Sequence, residues 1–176
     1  MIKKIAIGIA VVIAAVLIFA ATRPDTFRIE RSASIKAPPE KIFPHINDLR
    51  TWGEWSPWEK IDPDMKRTFS GSESGLGAAY AWEGNSEVGK GRMEITESTP
   101  PSKVVLKLDF LFPMESLNNY AEFTLVPSGE STTVTWAMRG PNSYFSKLIG
   151  LFLSMDGMVG GMFEKGLTNL KAAAER

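Results

Sequence analysis

The chain has 176 residues, with 20 basic and 20 acidic side chains, one histidine and no cysteine. The lack of cysteine excludes disulfides, thiolate nucleophiles and cysteine-ligated metals, and a single histidine excludes a histidine-rich metal site. Without Lys3 and Lys4, the rest of the chain carries 18 basic and 20 acidic residues. This balance argues against nucleic acid as a partner and against a polybasic contact with anionic lipid.

The first predicted element is an uninterrupted apolar run from Ile5 to Ala21, with Lys3 and Lys4 before it. Its length, about 25 Å as a helix, approaches the thickness of a bilayer core. We therefore expect residues 1–22 to form an N-terminal transmembrane anchor and residues 23–176 to form one domain.

Two other interpretations of the apolar run stay open. A cleaved signal peptide has the same basic start, although Phe19 or Ile18 would then stand three residues before the cut, where a small residue is typical. A helix buried in a folded core is the other alternative. The lysine pair favours a cytoplasmic N-terminus. We expect a single-pass protein of the bacterial inner membrane, with the domain on the periplasmic side and close to the bilayer.

After the anchor, alternating polarity predicts a strand over residues 26–36, whose apolar face Arg31 interrupts. Pro39 and Glu40 suit the first turn of a helix that Pro44 keeps short or kinked. An aromatic, turn-rich segment follows, predicted as a short helix and a loop. Six more strands are predicted, at residues 66–70, 78–83, 89–97, 104–112, 117–126 and 132–138.

The chain closes with a helical period over residues 142–174. Glycines weaken the period in the middle, so we expect a break near residues 154–157, with Asp156 as the cap of the second half. One long apolar helix is then the element large enough to cover a curved sheet.

Three segments carry a resemblance to a known family. They are FRIERSASIKAPPEKIFPHINDLRTWGEWSPW, AYAWEGNSEVGKGRMEI and MFEKGLTNLKAAAE. Over residues 27–175 the chain resembles the START-like (SRPBCC) superfamily of polyketide cyclase/dehydrase and lipid-transport proteins. The resemblance implies an α+β helix-grip fold, in which a curved antiparallel sheet of about seven strands surrounds a long C-terminal helix. It also implies a cavity between sheet and helix, but no single function, because relatives bind lipids, quinones, hormones or polyketides and some are enzymes.

Apolar side chains on the inner strand faces and on the terminal helix are the ones expected to line such a cavity. They are Tyr80, Trp82, Met93, Leu106, Leu108, Phe110, Phe123, Trp136, Met138, Met155, Met158, Met162 and Phe163. Methionine adapts to varied ligands, which favours a deformable pocket. An ordinary packed core is the alternative.

A run of three tryptophans, Trp52, Trp55 and Trp58, has two interpretations. It could form a rim at the cavity mouth, or clamp the short helices onto the sheet. The clamp is the favoured interpretation, because Gly53 and Pro57 disfavour the regular helix that a common face needs.

Evidence for catalysis is weak. His45 would need a serine and a carboxylate converging on it. The carboxylates Glu83, Glu87, Glu94, Glu97, Glu115 and Glu122 fall mostly on polar strand faces, and only a register shift would turn Glu83 or Glu122 inward. The glycines of residues 71–77 lack the context of a phosphate loop. No cofactor or metal is expected.

The leading hypothesis is a membrane-tethered carrier for a small apolar ligand such as a lipid, quinone or isoprenoid. One alternative is a polyketide cyclase/dehydrase-like or hydrolase-like enzyme that uses an inward carboxylate or tyrosine. Another is a membrane-tethered interaction protein, with a protein partner that the sequence does not identify.

Overall fold

The computed structural model of the chain describes residues 2–112 and 116–176. Its helices are α1 Ile2–Ala21, α2 Pro39–Asn47, α3 Trp52–Trp55, α4 Tyr144–Ile149 and α5 Met155–Ala174. Two 3₁₀ turns, Leu49–Thr51 and Pro57–Lys60, flank α3. The strands are β1 Thr26–Ile35, β2 Lys66–Gly71, β3 Ala78–Glu83, β4 Lys90–Thr99, β5 Lys103–Phe112, β6 Ser116–Ser128 and β7 Ser131–Pro141.

The seven strands form one antiparallel sheet in the order β1-β7-β6-β5-β4-β3-β2. Consecutive strands from β2 to β7 are neighbours, and β1 closes the series by pairing with β7. This arrangement confirms the predicted α+β class and the seven-stranded sheet with a C-terminal helix. The β3 bounds agree with the prediction to the residue, because glycines stand just before and just after the alternating segment.

The concave face of the sheet carries the core. In β4, for instance, Gly91, Met93 and Ile95 are buried, while the residues between them are exposed. Helices α2, α3 and α5 pack on this face, and α5 lies mainly over β1 at the edge of the sheet.

The N-terminal helix α1 projects from the domain. Among Ile2–Ala21, only Ala20 is buried, although the helix is long and apolar enough to cross a membrane. A core helix of a soluble domain would bury its apolar side chains against other elements. The buried-helix interpretation is thus disfavoured, whereas a span and a signal sequence both fit this exposure.

The predicted break in the terminal helical segment is present, between α4 and α5. The predicted cap is wrong. Ser154, not Asp156, precedes the first turn of α5, and its hydroxyl accepts a hydrogen bond from the amide of Gly157 at 3.0 Å. Asp156 lies inside that first turn, where it serves a different contact.

Arg31, which interrupts the apolar face of β1, provides that contact. Its guanidinium donates to both carboxylate oxygens of Asp156 at 2.9 Å and to Glu164 at 2.7 Å. These bonds raise the pKa of Arg31 further and hold the pKa of Asp156 below its usual range. The charge that breaks the strand pattern therefore fastens α5 onto the edge of the sheet.

Antiparallel register gives the sheet two distinct ends. At one end lie Thr26, Lys66, Glu83, Lys90, Phe112, Ser116 and Pro141. We call this the open end. At the other, the closed end, β1 stops at Ile35 beside Thr132 of β7, whose hydroxyl donates to the carbonyl of Ala37 at 2.8 Å. Helix α1 lies at the open end because it leads into Thr26. The turn between α4 and α5 lies at the same end because the chain reaches it from Pro141 through the short helix α4.

Candidate functional site

Stacked aromatic rings fill the middle of the concave face. Trp136 of β7 lies between Phe163 of α5, with ring centroids 4.2 Å apart, and Phe123 of β6, at 4.8 Å. All three side chains are at most 3% exposed. Such stacking contributes about 0.5–1.5 kcal/mol per pair beyond the burial of the rings. This part of the face is packed core.

Two of the three clustered tryptophans serve as a clamp. Trp52 and Trp55 are buried, and their indole nitrogens donate to the carbonyls of Ile46 at 3.0 Å and His45 at 2.8 Å. Both rings meet Phe123 edge-on. These contacts join α2 and α3 to the sheet, which supports the structural interpretation of the run. Trp58 differs, because it is half-buried against Trp136 and Phe163.

Toward the open end, the concave face becomes less well covered. Trp82, Leu108 and Phe110 are half-buried and pack against the core from one side. The Trp82 ring lies over Gly91, close enough that a Cβ there would meet the ring at 2.4 Å. It meets Phe110 edge-on at 6.0 Å. Together these side chains form a half-buried apolar shelf at the open end.

Small and polar groups stand beside this shelf in the central strands. Asn119 of β6 pairs with Leu108 and is 1% exposed. Its amide oxygen lies over Gly140, where an added Cβ would approach it to 2.1 Å. The open end therefore combines apolar rings with one buried amide.

The predicted lining residues fall into three groups. The structure brings Tyr80, Met93, Leu106, Phe123, Trp136, Met138 and Phe163 into the core, with Trp82, Leu108 and Phe110 half-buried against it. Met162 is half-buried on α5, and Met158 is 57% exposed because it lies about 140° around the helix from the inward-facing Phe163. The side chain of Met155 is outside the described part of the chain. Their role as ligand contacts stays a prediction.

Two described depressions of the surface lie elsewhere. One, of about 260 Å³, is on the outer face of β3 to β5 and is bordered by Arg92, Glu94, Lys107 and Asp109. The other, of about 430 Å³, is at the closed end beside Pro38 and Pro127. Because charged side chains border the first depression, it is poorly suited to an apolar ligand.

A buried carboxylate was missed in the sequence. Glu59, from the turn after α3, accepts a hydrogen bond from the Tyr80 hydroxyl and another from Arg67, both at 2.7 Å. Its side chain is 8% exposed. Burial, followed by the bond to Glu59, raises the pKa of Tyr80 well above its usual value, so the phenol stays neutral. With both carboxylate oxygens engaged, this group fastens the turn to β2 and β3.

The other candidate groups do not converge. Glu83 lies 3.3 Å from Lys90 and Glu122 lies 3.9 Å from Lys103, both on the outer face, so the predicted register holds. His45 is half-buried, and its carbonyl is the atom bonded to Trp55. Glu115 lies outside the described residues. Within residues 2–112 and 116–176, no three histidine or carboxylate side chains are grouped to hold a metal ion.

Known structures share this architecture. Protein CV1439 from Chromobacterium violaceum is 15% identical, with a TM-score of 0.58 over 87% of this chain and 99% of that one. The Aha1 dimer from Colwellia psychrerythraea is 20% identical, with a TM-score of 0.58 over 85% and 96%. DynU16, a putative protein of the dynemicin biosynthetic locus, is 17% identical, with a TM-score of 0.57 over 87% and 48%. At these identities the likeness establishes the fold alone.

A family model gives the more specific result. A search of curated proteins found no match. The model described as polyketide cyclase / dehydrase and lipid transport matches residues 26–175, which begin at β1 and include α5. The chain therefore belongs to the polyketide cyclase/dehydrase and lipid-transport family of the START-like superfamily.

Proposed function

We propose that the protein is a membrane-tethered binding protein for a small apolar ligand, such as a lipid, quinone or isoprenoid, held at the open end of the concave face. The observation that carries the proposal is a gradient of burial along that face. In β5, Val104 and Leu106 are fully buried, whereas Leu108 and Phe110 are half-buried. Family membership agrees with hydrophobic ligand binding.

The same gradient runs along α5, on the opposite side of the groove. Leu170 and Phe163 are at most 2% exposed, whereas Val159, one turn before Phe163 on the same face, is half-buried. An apolar molecule between α5 and the shelf would cover both sets of side chains. Each square ångström of apolar surface removed from water contributes about 25 cal/mol, so area would dominate the affinity.

Binding is favoured over catalysis because the buried carboxylates described are already engaged. Glu59 accepts hydrogen bonds from Tyr80 and Arg67. Asp109 accepts from the amide of Asn118 and from Arg92, and Asp62 accepts from the amides of Asp64 and Asn85. A general base needs a free acceptor within reach of the substrate proton. The proposed location, the inner membrane of a bacterium with the domain on the periplasmic side, relies on the exposed apolar surface of α1 and on the lysine pair before it.

Native mass spectrometry of the full chain, released from detergent micelles, tests the proposal. We expect a co-purified apolar molecule at near-stoichiometric amount, identified after organic extraction. Leu108→Trp should fill the shelf and abolish retention, whereas Val126→Trp, at a 59% exposed site on β6, should not. A bare protein mass, with no uptake from a panel of lipids and quinones, would refute the binding function and favour an interaction protein.

A further inference from the structure

The segment from residue 142 to residue 155 has an unusual surface. It contains one charged residue, Lys147, which is 7% exposed. Its large exposed side chains are Tyr144 at 46%, Phe145 at 58%, Phe152 at 77% and Leu153 at 55%. We call these four residues the α4–α5 surface. A cluster of large apolar groups without an exposed charge marks a contact with a protein or a membrane.

Helix α4 lies against the last turn of α1. The Tyr144 hydroxyl donates to the carbonyl of Leu17 at 3.0 Å, and Ala20 is fully buried at the contact. Leu17 stands four residues before the end of α1, which corresponds to about 6 Å along the helix axis. Tyr144 is thus level with the apolar part of α1 and not beyond its end.

The connector between α1 and β1 is bonded to the same segment. The backbone amide of Asn142 donates to the carbonyl of Asp25 at 2.7 Å, and its side-chain amide donates to Pro24 at 3.1 Å. The Lys147 ammonium donates to the Asp25 carboxylate at 2.5 Å. These bonds tie α4 to the short connector that directly follows α1.

We propose that the α4–α5 surface inserts into the headgroup–acyl boundary of the bilayer that α1 spans, so that the open end of the groove faces the membrane. This inference rests on the proposed function, since it takes α1 as the membrane span. Amphipathic surface helices bury their apolar face about 5–10 Å into this boundary, which matches the depth that the Tyr144 contact sets. Tyrosine is itself enriched at that level.

The bilayer suits this surface better than a protein partner does. Helix α1, which α4 contacts, exposes Ile18 and Phe19 by 67% and 54% in its last turn. Met158, five residues after Leu153, is a further exposed apolar side chain near the start of α5. A ligand could then move between lipid and groove without crossing water.

The absence of cysteine makes a direct measurement simple. Phe152→Cys and, as a matched control, Val126→Cys each place one label, because both positions are exposed and apolar but lie at opposite ends of the sheet. The full-length variants carry the fluorophore NBD in phosphatidylcholine–phosphatidylglycerol vesicles. We expect quenching by doxyl lipids and protection from aqueous iodide at position 152, and the reverse at position 126.

Other results would overturn the inference. Iodide access at position 152 equal to that at 126 would place the surface in water. Protection from both quenchers would mean that a protein covers it, most simply a second copy of the chain. The quenching experiment measures depth without any ligand. If the protein shows the expected quenching pattern but takes up no ligand, the proposed function is refuted and this inference stands.

A double substitution tests whether this surface takes part in ligand transfer. Phe152→Asp with Leu153→Asp changes two side chains that are more than half exposed, so the thermal stability of the domain should not change. Charges at the lipid boundary should slow uptake of a fluorescent lipid from the vesicle by about tenfold or more. An unchanged uptake rate would contradict a role of this surface in transfer.

Discussion

The two ends of the concave face differ in what covers them. At the closed end, α2, α3 and the second half of α5 seal the sheet, and residues such as Ile35, Ile42 and Val134 are fully excluded from water. At the open end, strands β3 and β5 leave Trp82 and Phe110 half-buried. The difference indicates that close packing is concentrated at the closed end of the face.

The largest expected effect is on the free energy of unfolding, and it distinguishes two phenylalanines on the same face. Phe123→Ala, at a fully buried site that contacts three tryptophans, should lower the free energy of unfolding by about 3–5 kcal/mol. Phe110→Ala, at the half-buried open end, should cost about 1–2 kcal/mol. Urea unfolding of the full chain in micelles measures both. Equal losses would mean that the two ends are equally packed.

Replacing a leucine by tryptophan should also distinguish the two ends, by a loss of stability at the closed end and a loss of ligand binding at the open end. Leu106→Trp overpacks a fully buried site and should cost about 1–3 kcal/mol or more. Leu108→Trp, one inward position further along β5, should cost much less but remove ligand binding. The melting temperature and the ligand content of each purified variant are the measurements. A stable Leu106→Trp variant would refute the close packing of the closed end.

Neighbouring glycines of α5 allow a finer comparison. Gly161 has no heavy atom within 4 Å of an added Cβ, so Gly161→Ala should stabilise the protein by about 0.5–1 kcal/mol. At Gly160, a Cβ would meet the guanidinium of Arg31 at 2.2 Å, so Gly160→Ala must displace the bonds to Asp156 and Glu164. We expect a smaller gain or a loss in thermal unfolding. An equal gain at both sites would show that the Arg31 contacts contribute little.

The smallest effect concerns the connector and its dependence on pH. The hydrogen bond from Lys147 lowers the pKa of Asp25 in the folded state. A lowered folded pKa stabilises the protein above the unfolded value, about 3.9, and the contribution is lost as pH falls through the folded value. Asp25→Asn should therefore lower the melting temperature slightly at pH 7, and the difference should vanish in strong acid. A difference that persists at low pH would have another cause.

Periodicity was sufficient to predict the sheet. Alternation placed Leu106 and Phe123 on the inner face and Glu83 and Glu122 on the outer face, because the side of a strand on which a residue lies is a local property. Helix capping was less predictable, since Ser154 and Asp156 are both suitable residues and only the three-dimensional turn decides between them.

The site was harder to predict than the fold. How deeply a residue is buried depends on which element covers it, and nothing in the local pattern places α5 over β1 instead of the centre of the sheet. Val159 and Phe163 lie on the same face of the helix, yet only Phe163 is fully buried. Glu59 was missed because its partners Arg67 and Tyr80 are distant in sequence.

The bonded connector also has a kinetic consequence under the proposed function. Three contacts from Asn142 and Lys147 to the connector, and one from Tyr144 to Leu17, keep the domain close to the end of α1. Such a protein cannot diffuse through the aqueous compartment between two membranes as a soluble shuttle does. It would meet its ligand by lateral diffusion in two dimensions, where the local concentration of a membrane-dissolved molecule is far higher than in water. Even a modest intrinsic affinity would then keep the groove occupied.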